Sequence, residues 1–493
     1  MFFIFLTSGL FLGWSLGAND AANIYGTAVG TRMIKFRTAA ITASIFILLG
    51  ATIGGAGASH TLGKLGAVNA LAGSFTVAFA AALTVAGMTK LKLPVSTSQA
   101  IVGAIIGWNF FSGSLTDSSS LSKIVSSWVL CPLLAAGISI ILFKITEIVM
   151  NKMSIHILYL DTLVRFGLWF VGALAAYSLG ANNIANVMGV FVESAPFNSF
   201  SFYGLFTLSG TQILFAIGGV AIGFGVFTYS KKVMMTVGND LFKLSPIAAL
   251  IVVLSQAIVL FLFSSEGLEN WLYTHHLPTI PLVPVSSSQA VIGAVMGIGI
   301  VKGGRNIKFK VLGRITSGWI STPLISGVIS FIVLFFVQNV FLQQIKLPVE
   351  YKITNSVIQQ LNNKKISTEK LTILLDKKVK DAKTFQDKLR EIKVNEKDIS
   401  KIIEYSEIHK MSIDFNKINK KMKFTFNKRE LQSIKKLDKK NYTYKWELYN
   451  DLVNNDKMWK LKKKVVANKL YNKELKKKLK LLYRVSKIKY QEK

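Results

Sequence analysis

A single cysteine, Cys131, in 493 residues excludes an internal disulfide, and its place in an apolar run before Pro132 makes it core filling. Acidic side chains are also scarce, 26 Asp+Glu against 59 Lys+Arg. No nucleophile, base and orienting acid can be assembled from the apolar part, which argues against an enzyme. The N-terminus is apolar from Met1 but lacks a basic n-region and an obvious cleavage site. It therefore reads as a first membrane span rather than a removed signal peptide.

What is present is unevenly spread. Up to about Ile345, apolar stretches such as Ala39–Gly57, Trp128–Phe143, Ile247–Phe263 and Leu324–Val337 recur, several of them near the ~18–20 residues that cross a bilayer. Beyond Lys346 there is none. That tail holds 41 of the 59 basic and 18 of the 26 acidic residues, +23 of the +33 net charge. It has almost no Gly or Pro and alternates Lys with Leu and Ile, as in Leu371–Val379 and Leu475–Val485, so it reads as a mainly α-helical, basic soluble domain.

Within the apolar part, blocks of sequence repeat. Ser15-Leu-Gly-Ala-Asn-Asp-Ala-Ala-Asn-Ile-Tyr-Gly26 matches Ser178-Leu-Gly-Ala-Asn-Asn-Ile-Ala-Asn-Val-Met-Gly189 at eight of twelve positions. Pro94-Val-Ser-Thr-Ser-Gln-Ala-Ile-Val-Gly-Ala-Ile-Ile-Gly107 matches Pro284-Val-Ser-Ser-Ser-Gln-Ala-Val-Ile-Gly-Ala-Val-Met-Gly297 at nine of fourteen. A weaker pair sets Lys123, Trp128 and Pro132 against Arg314, Trp319 and Pro323. The common order implies duplication, with a first repeat over 1–165, a second over 166–345 and the basic domain over 346–493.

Basic clusters fall at Arg32/Lys35/Arg37, Lys90/Lys92, Lys144/Lys152/Arg165, Lys231/Lys232/Lys243 and Lys302/Arg305/Lys308/Lys310/Arg314, while the alternate loops carry Lys64, Asp117 with Lys123, Glu193, and Glu266 with Glu269. Counting every apolar segment as one crossing puts all the basic clusters on the cytoplasmic side. About ten crossings result, five per repeat, with both termini outside and the second repeat inverted. The segments after Pro94 and Pro284 are short and polar at their starts, so each is expected to combine a re-entrant turn with a span. The fold class is thus an all-α polytopic membrane protein of two inverted repeats with broken or re-entrant helices.

Polar groups in hydrocarbon mark function by default, because a central Asp costs roughly 2.5–3.5 kcal/mol to insert. Asn19, Asp20 and Asn23 lie within one helical turn, flanked by Gly17 and Gly26, and form an oxygen-rich cluster suited to a hard cation such as sodium. Asn182, Asn183 and Asn186 repeat the pattern. Interhelical hydrogen bonding is the plainer explanation of one such motif, and duplication weakens it. Ser96-Thr97-Ser98-Gln99 and Ser286-Ser287-Ser288-Gln289 follow a proline and precede a small-residue apolar helix, as helix N-termini do. Free N–H groups, the positive dipole end and hydroxyls at one place suit a tetrahedral oxyanion. Ordinary Ser capping explains a single copy. Gly54-Gly-Ala-Gly57 and Gly297-Ile-Gly299 read as helix-packing glycines rather than nucleotide loops.

Over about Met1–Gln344 the paired blocks resemble the signatures of the inorganic phosphate transporter family of cation-coupled symporters. The resemblance implies an anion site at Ser96, Thr97, Ser98, Gln99, Ser286, Ser287, Ser288 and Gln289, and cation sites at Asn19, Asp20, Asn23, Asn182, Asn183 and Asn186. It implies inorganic phosphate as substrate, with sulfate as the alternative since some relatives resemble sulfate permeases. Sodium is the expected coupling ion and a proton the runner-up, with no other cofactor. The expected setting is the cell membrane, with the bilayer and a second copy of the chain as partners and no nucleic acid. Two departures stand out: many members carry Asp where this chain has Asn183, and His where it has Gln99 and Gln289.

Overall fold

The computed structural model describes residues 2–66, 68–90, 95–152, 156–197, 199–202, 206–236, 244–303, 309–422, 425–463 and 468–488. Pro94, Lys92, Lys243, Arg305 and Lys308 lie outside the described residues. The first part runs α1 (Phe2–Gly30), α2 (Phe36–Gly54), α3 (Ala56–Leu65), α4 (Leu71–Lys90), α5 (Thr97–Ser112) and α6 (Ser118–Lys152). It continues with α7 (Ile157–Met188), α8 (Gly210–Thr228), α9 (Ser230–Thr236), α10 (Pro246–Ser264), α11 (Glu266–Thr274), α12 (Ser287–Val301) and α13 (Phe309–Asn339). Among the described residues of this part, the strands are those of a hairpin pairing Phe200–Phe202 with Phe206–Leu208.

Among the described residues eight helices, α1, α2, α4, α6, α7, α8, α10 and α13, are long and apolar enough to cross a membrane. The molecule is a multi-pass membrane protein. The segments counted above as the remaining two crossings are α5 and α12, of 16 and 15 residues; at ~1.5 Å per residue they reach only about 24 Å, short of a ~30 Å hydrocarbon layer. Each is preceded by non-helical chain, extended at Ser96 and Ser286.

The helices form because their residues are apolar on nearly every face, and their ends are set by recognisable chemistry. Ser209 caps α8 in a reciprocal pair with Gln212, and Ser245 caps α10 just before Pro246. Gly113 closes α5 at φ 66°, with its N–H on the Asn109 carbonyl, a left-handed cap that glycine takes without strain. Pro132 and Pro323 sit inside α6 and α13, where a missing N–H withdraws the helical donor from the carbonyls of Trp128 and Trp319 four residues earlier.

Glycines set which helices touch. A Cβ at Gly17 on α1 would collide with the backbone of Ile222 on α8, and one at Gly180 on α7 with that of Ile47 on α2. Likewise Gly103 on α5 lies against Pro323 on α13, and Gly293 on α12 against Pro132 on α6. Each contact recurs at the duplicated position, with the partner taken from the opposite half. The two halves are therefore interleaved rather than side by side, and bare backbone at these crossings lets the helices approach closely. Helices α1 and α7 run antiparallel, since Gly9 meets Val187 and Met188 while Tyr25 meets Gly172.

The chain after Lys346 forms two small apolar cores. One gathers Ile353, Val357, Leu361, Phe385, Leu389 and Ile402, and the other Met411, Ile434, Leu448, Trp459 and Leu482. Seven helices build them: α14 (Asn355–Asn363), α15 (Ala382–Glu391), α16 (Glu396–Ser406), α17 (Phe415–Met422), α18 (Lys428–Lys435), α19 (Lys445–Asn455) and α20 (Lys469–Ser486). Two short strand pairs, Tyr351–Lys352 with Lys378–Val379 and Met411–Ser412 with Asn441–Tyr442, accompany them. This region touches the membrane helices at both ends. Lys473 pairs with Glu269 at 2.9 Å, Lys477 with Glu266 at 3.1 Å and Lys480 with Glu193 at 3.1 Å. At the other end Lys346 donates to the Ser112 carbonyl at 2.7 Å. The docking face carries the sparsely basic loops that the charge pattern assigns to the outside.

Candidate functional site

The four repeated blocks, far apart in sequence, meet in one buried cluster. Ser96 and Ser286 cap α5 and α12, accepting from the backbone N–H of Gln99 at 3.2 Å and Gln289 at 3.3 Å. Ser98 donates to the Val285 carbonyl at 3.1 Å, and Ser288 to the Val95 carbonyl at 2.9 Å. Since Val95 and Val285 sit just ahead of the helix starts, α5 and α12 meet N-terminus to N-terminus.

The hydroxyls of each triplet thus divide their work, which spacing alone does not reveal. The first caps its own helix and the third fastens one half to the other. The middle position, Thr97 or Ser287, is left to face the site. The Thr97 hydroxyl has no hydrogen-bond partner although it is buried, whereas Ser287 accepts from Asn23 at 3.2 Å and also faces Asp20.

The Asn/Asp blocks line the same place. Asn182 accepts from the Val285 N–H at 2.9 Å and donates to the Val283 carbonyl at 3.3 Å, bracing the non-helical chain ahead of α12. Asn19 donates instead to the Val95 carbonyl, at 3.5 Å, and to Asp20 at 3.0 Å. Asn186 reaches Ser98 at 2.8 Å and Asn183 at 3.0 Å. Each Asn block therefore touches the Ser-rich helix start of the opposite repeat. Asp20 is 2 % exposed and Asn183 1 %, so a buried carboxylate in one block stands where the other block has a buried amide. Among the described residues no group of three or more His, Cys, Asp or Glu gathers to hold a metal ion. The donors here are amide, hydroxyl, carbonyl and one carboxylate oxygen, a set for hard cations.

A cavity of about 340 Å³ adjoins the helix starts, lined by Gln99, Gln289, Trp128, Trp319, Thr316 and Pro323 among others. Trp128 and Trp319 belong to the weakest of the repeated blocks. Their placement beside the site was legible only as a match in spacing to Pro132 and Pro323.

The model of the phosphate transporter family matches residues 16–269 and 274–463. This chain belongs to that family. A protein of Methanocaldococcus jannaschii named as a phosphate permease is 30% identical over 66% of this chain and 95% of its own length. One of Pyrococcus furiosus, named likewise, is 26% identical over 66% of this chain and 93% of its own. A sulfate permease of Bacillus subtilis is 27% identical over 66% of this chain and 84% of its own. Among solved structures, a sodium-dependent phosphate transporter shares the fold with a TM-score of 0.56 at 23% identity, covering 68% of this chain and 98% of that one. The transporter is thus a membrane carrier by family, not an enzyme.

Proposed function

We propose that this transporter is a sodium-coupled symporter of inorganic phosphate, built from inverted repeats over 1–165 and 166–345 and working by alternating access. The observation that carries the reading is the head-to-head meeting of α5 and α12, locked by the reciprocal bonds Ser98 to Val285 and Ser288 to Val95. Two helix N-termini at one point sum their N–H donors and dipoles on a single anion. Neutral donors hold it without the grip of a buried Arg cluster, as a carrier that must release its cargo requires.

The phosphate lies against Thr97 and Ser287 with the neighbouring Ser96, Ser98, Gln99, Ser286, Ser288 and Gln289. The coupling cation sits among Asn19, Asp20 and Asn23 in one half, and a weaker or absent counterpart among Asn182, Asn183 and Asn186 in the other. The antiparallel course of α1 and α7 supports the inversion, and such a fold rocks one repeat against the other around a fixed midplane site. Each net positive charge carried inward gains about 2.3 kcal/mol per 100 mV, so the number of cations taken per anion fixes the concentration the carrier can build. The basic domain over 346–493 is an accessory to this cycle.

The test is uptake of radiolabelled phosphate into proteoliposomes under an imposed sodium gradient, a proton gradient or neither. Sodium-driven accumulation is the expected result. Accumulation driven by protons alone would move the coupling to Asp20 protonation, and uptake indifferent to any cation gradient would overturn the symport reading.

A further inference from the structure

The cavity beside the helix starts is bounded by the same two residues from each repeat: Gln99 with Trp128, and Gln289 with Trp319. Both glutamines are 2 % exposed, and their Oε1 atoms are buried without a hydrogen-bond partner. The indole Nε1 atoms of both tryptophans are likewise buried and unpartnered. A carrier gains nothing from four bare polar atoms in its interior, and each is costly unless a ligand or water completes it. The tryptophans also lie at matching positions, each roughly ten residues into its helix, and the four groups border one cavity that opens past the exposed Ile320 and Leu324.

The chemistry of these four groups is mixed. Two indoles only donate, and each amide offers an acceptor as well as donors; rotating an amide exchanges its ends but leaves one acceptor per glutamine. At neutral pH phosphate carries both bare oxygens and at least one P–OH group, whereas sulfate carries oxygens alone. Phosphate can therefore accept from the indoles and donate to a glutamine. Sulfate satisfies the indoles and strands the glutamine acceptors.

We propose that Gln99 and Gln289, set opposite Trp128 and Trp319, form a proton-reading pocket that selects protonated tetrahedral oxyanions over sulfate. The proposal rests on the anion-transport reading above and assigns its specificity. A site built to pair a substrate hydroxyl rejects the analogue without it, because the buried partner is left bare; one stranded acceptor is worth roughly 5- to 150-fold. The side-chain volumes are also adequate: at ~10–15 Å³ per water-sized position, 340 Å³ accommodates an oxyanion with several waters.

Competition against radiolabelled phosphate uptake by the full chain in proteoliposomes tests this. Arsenate, which carries a proton as phosphate does, should compete at similar concentrations, while sulfate, selenate and dimethyl phosphate should need at least about fivefold more. Gln99→Met and Gln289→Met keep the side-chain volume and remove the amide; each should lower the phosphate-over-sulfate ratio about fivefold or more. Trp128→Phe and Trp319→Phe remove the N–H together with one ring and should weaken phosphate and sulfate alike, leaving the ratio unchanged. If a methionine variant fails to fold, the wild-type series still decides, since dimethyl phosphate competing as well as arsenate overturns the proposal. Gln→Met variants that transport with the wild-type ratio also overturn it while leaving phosphate transport standing. Wild-type protein that takes up neither anion removes the transport reading itself, and this pocket with it.

Discussion

Adding one methyl group at Gly103 tests the interleaving of the two halves directly. A Cβ there would lie 2.6 Å from the Cα of Pro323, and one at the duplicated position Gly293 would lie 2.6 Å from the Cα of Pro132. Carbon atoms pack at about 3.5–4.0 Å, so α5 must move away from α13, or α12 from α6, by about 1 Å. The obstruction is backbone in both cases and cannot rotate aside. Overpacking costs typically about 1–3 kcal/mol, and a rigid neighbour places these sites at the upper end. The better helix propensity of Ala returns about 1 kcal/mol, for a net loss of about 2 kcal/mol, or near 30-fold in the folded-to-unfolded ratio. Gly137 on α6 has nothing within 4 Å of its Cβ position, so Gly137→Ala should be neutral or stabilising by up to about 1 kcal/mol. The assay is unfolding in mixed micelles of rising SDS fraction, followed by the fluorescence of the eight tryptophans. Gly103→Ala and Gly293→Ala should shift together, opposite to Gly137→Ala. Equal stability of all three variants would refute the close helix crossings.

Further expectations concern single groups. Asp20→Asn should abolish cation-driven accumulation while leaving the SDS unfolding curve in place, and wild-type uptake rates in that variant would return Asp20 to a packing role. Asn183→Asp places a carboxylate in both halves and should raise the number of cations taken per phosphate, read from the shift in reversal potential. Reversing charge with Lys473→Glu and Lys477→Glu places like charges beside Glu269 and Glu266. The contact between α20 and α11 should then open, seen as faster proteolysis of the tail, with high salt producing the same effect in the wild type. In the tail, Asp381 caps α15 through the Thr384 N–H at 2.7 Å, and Asp381→Ala should cost about 1 kcal/mol of local stability. Burial pushes its carboxyl up, but the Thr384 bonds and Lys346 outweigh this and hold it below the usual range. Its contribution is therefore present at neutral pH and lost as pH falls through the lowered value of the folded state, measurable by hydrogen exchange of α15.

Residue patterns carried the duplication, the apolar spans and the two pairs of motifs, because each is a local property: hydrophobicity over a span length, or identity at fixed spacing. Asp20, Asn182 and the Ser-rich helix starts could be singled out this way, since a polar residue in an apolar run is conspicuous wherever the chain goes. The crossing count was less legible. Whether the segment after Pro284 spans or stops short depends on where its helix starts, and the non-helical stretch through Val285 is held by Asn182 from 103 residues away.

What only the tertiary structure decided is which groups share a partner. Three similar hydroxyls in a row look alike in sequence, yet Ser286 caps, Ser287 faces Asn23 and Ser288 fastens the opposite half. Such roles follow from where a helix end meets its pseudo-symmetric mate, a long-range geometry that no local pattern encodes. Trp128 and Trp319 make the same point, because two tryptophans 191 positions apart acquire meaning only once interleaving sets both indoles beside Gln99 and Gln289. The sequence by itself determined a duplicated, membrane-spanning chain with two pairs of polar motifs. The packing of one half through the other decided how those residues come together in one buried cluster.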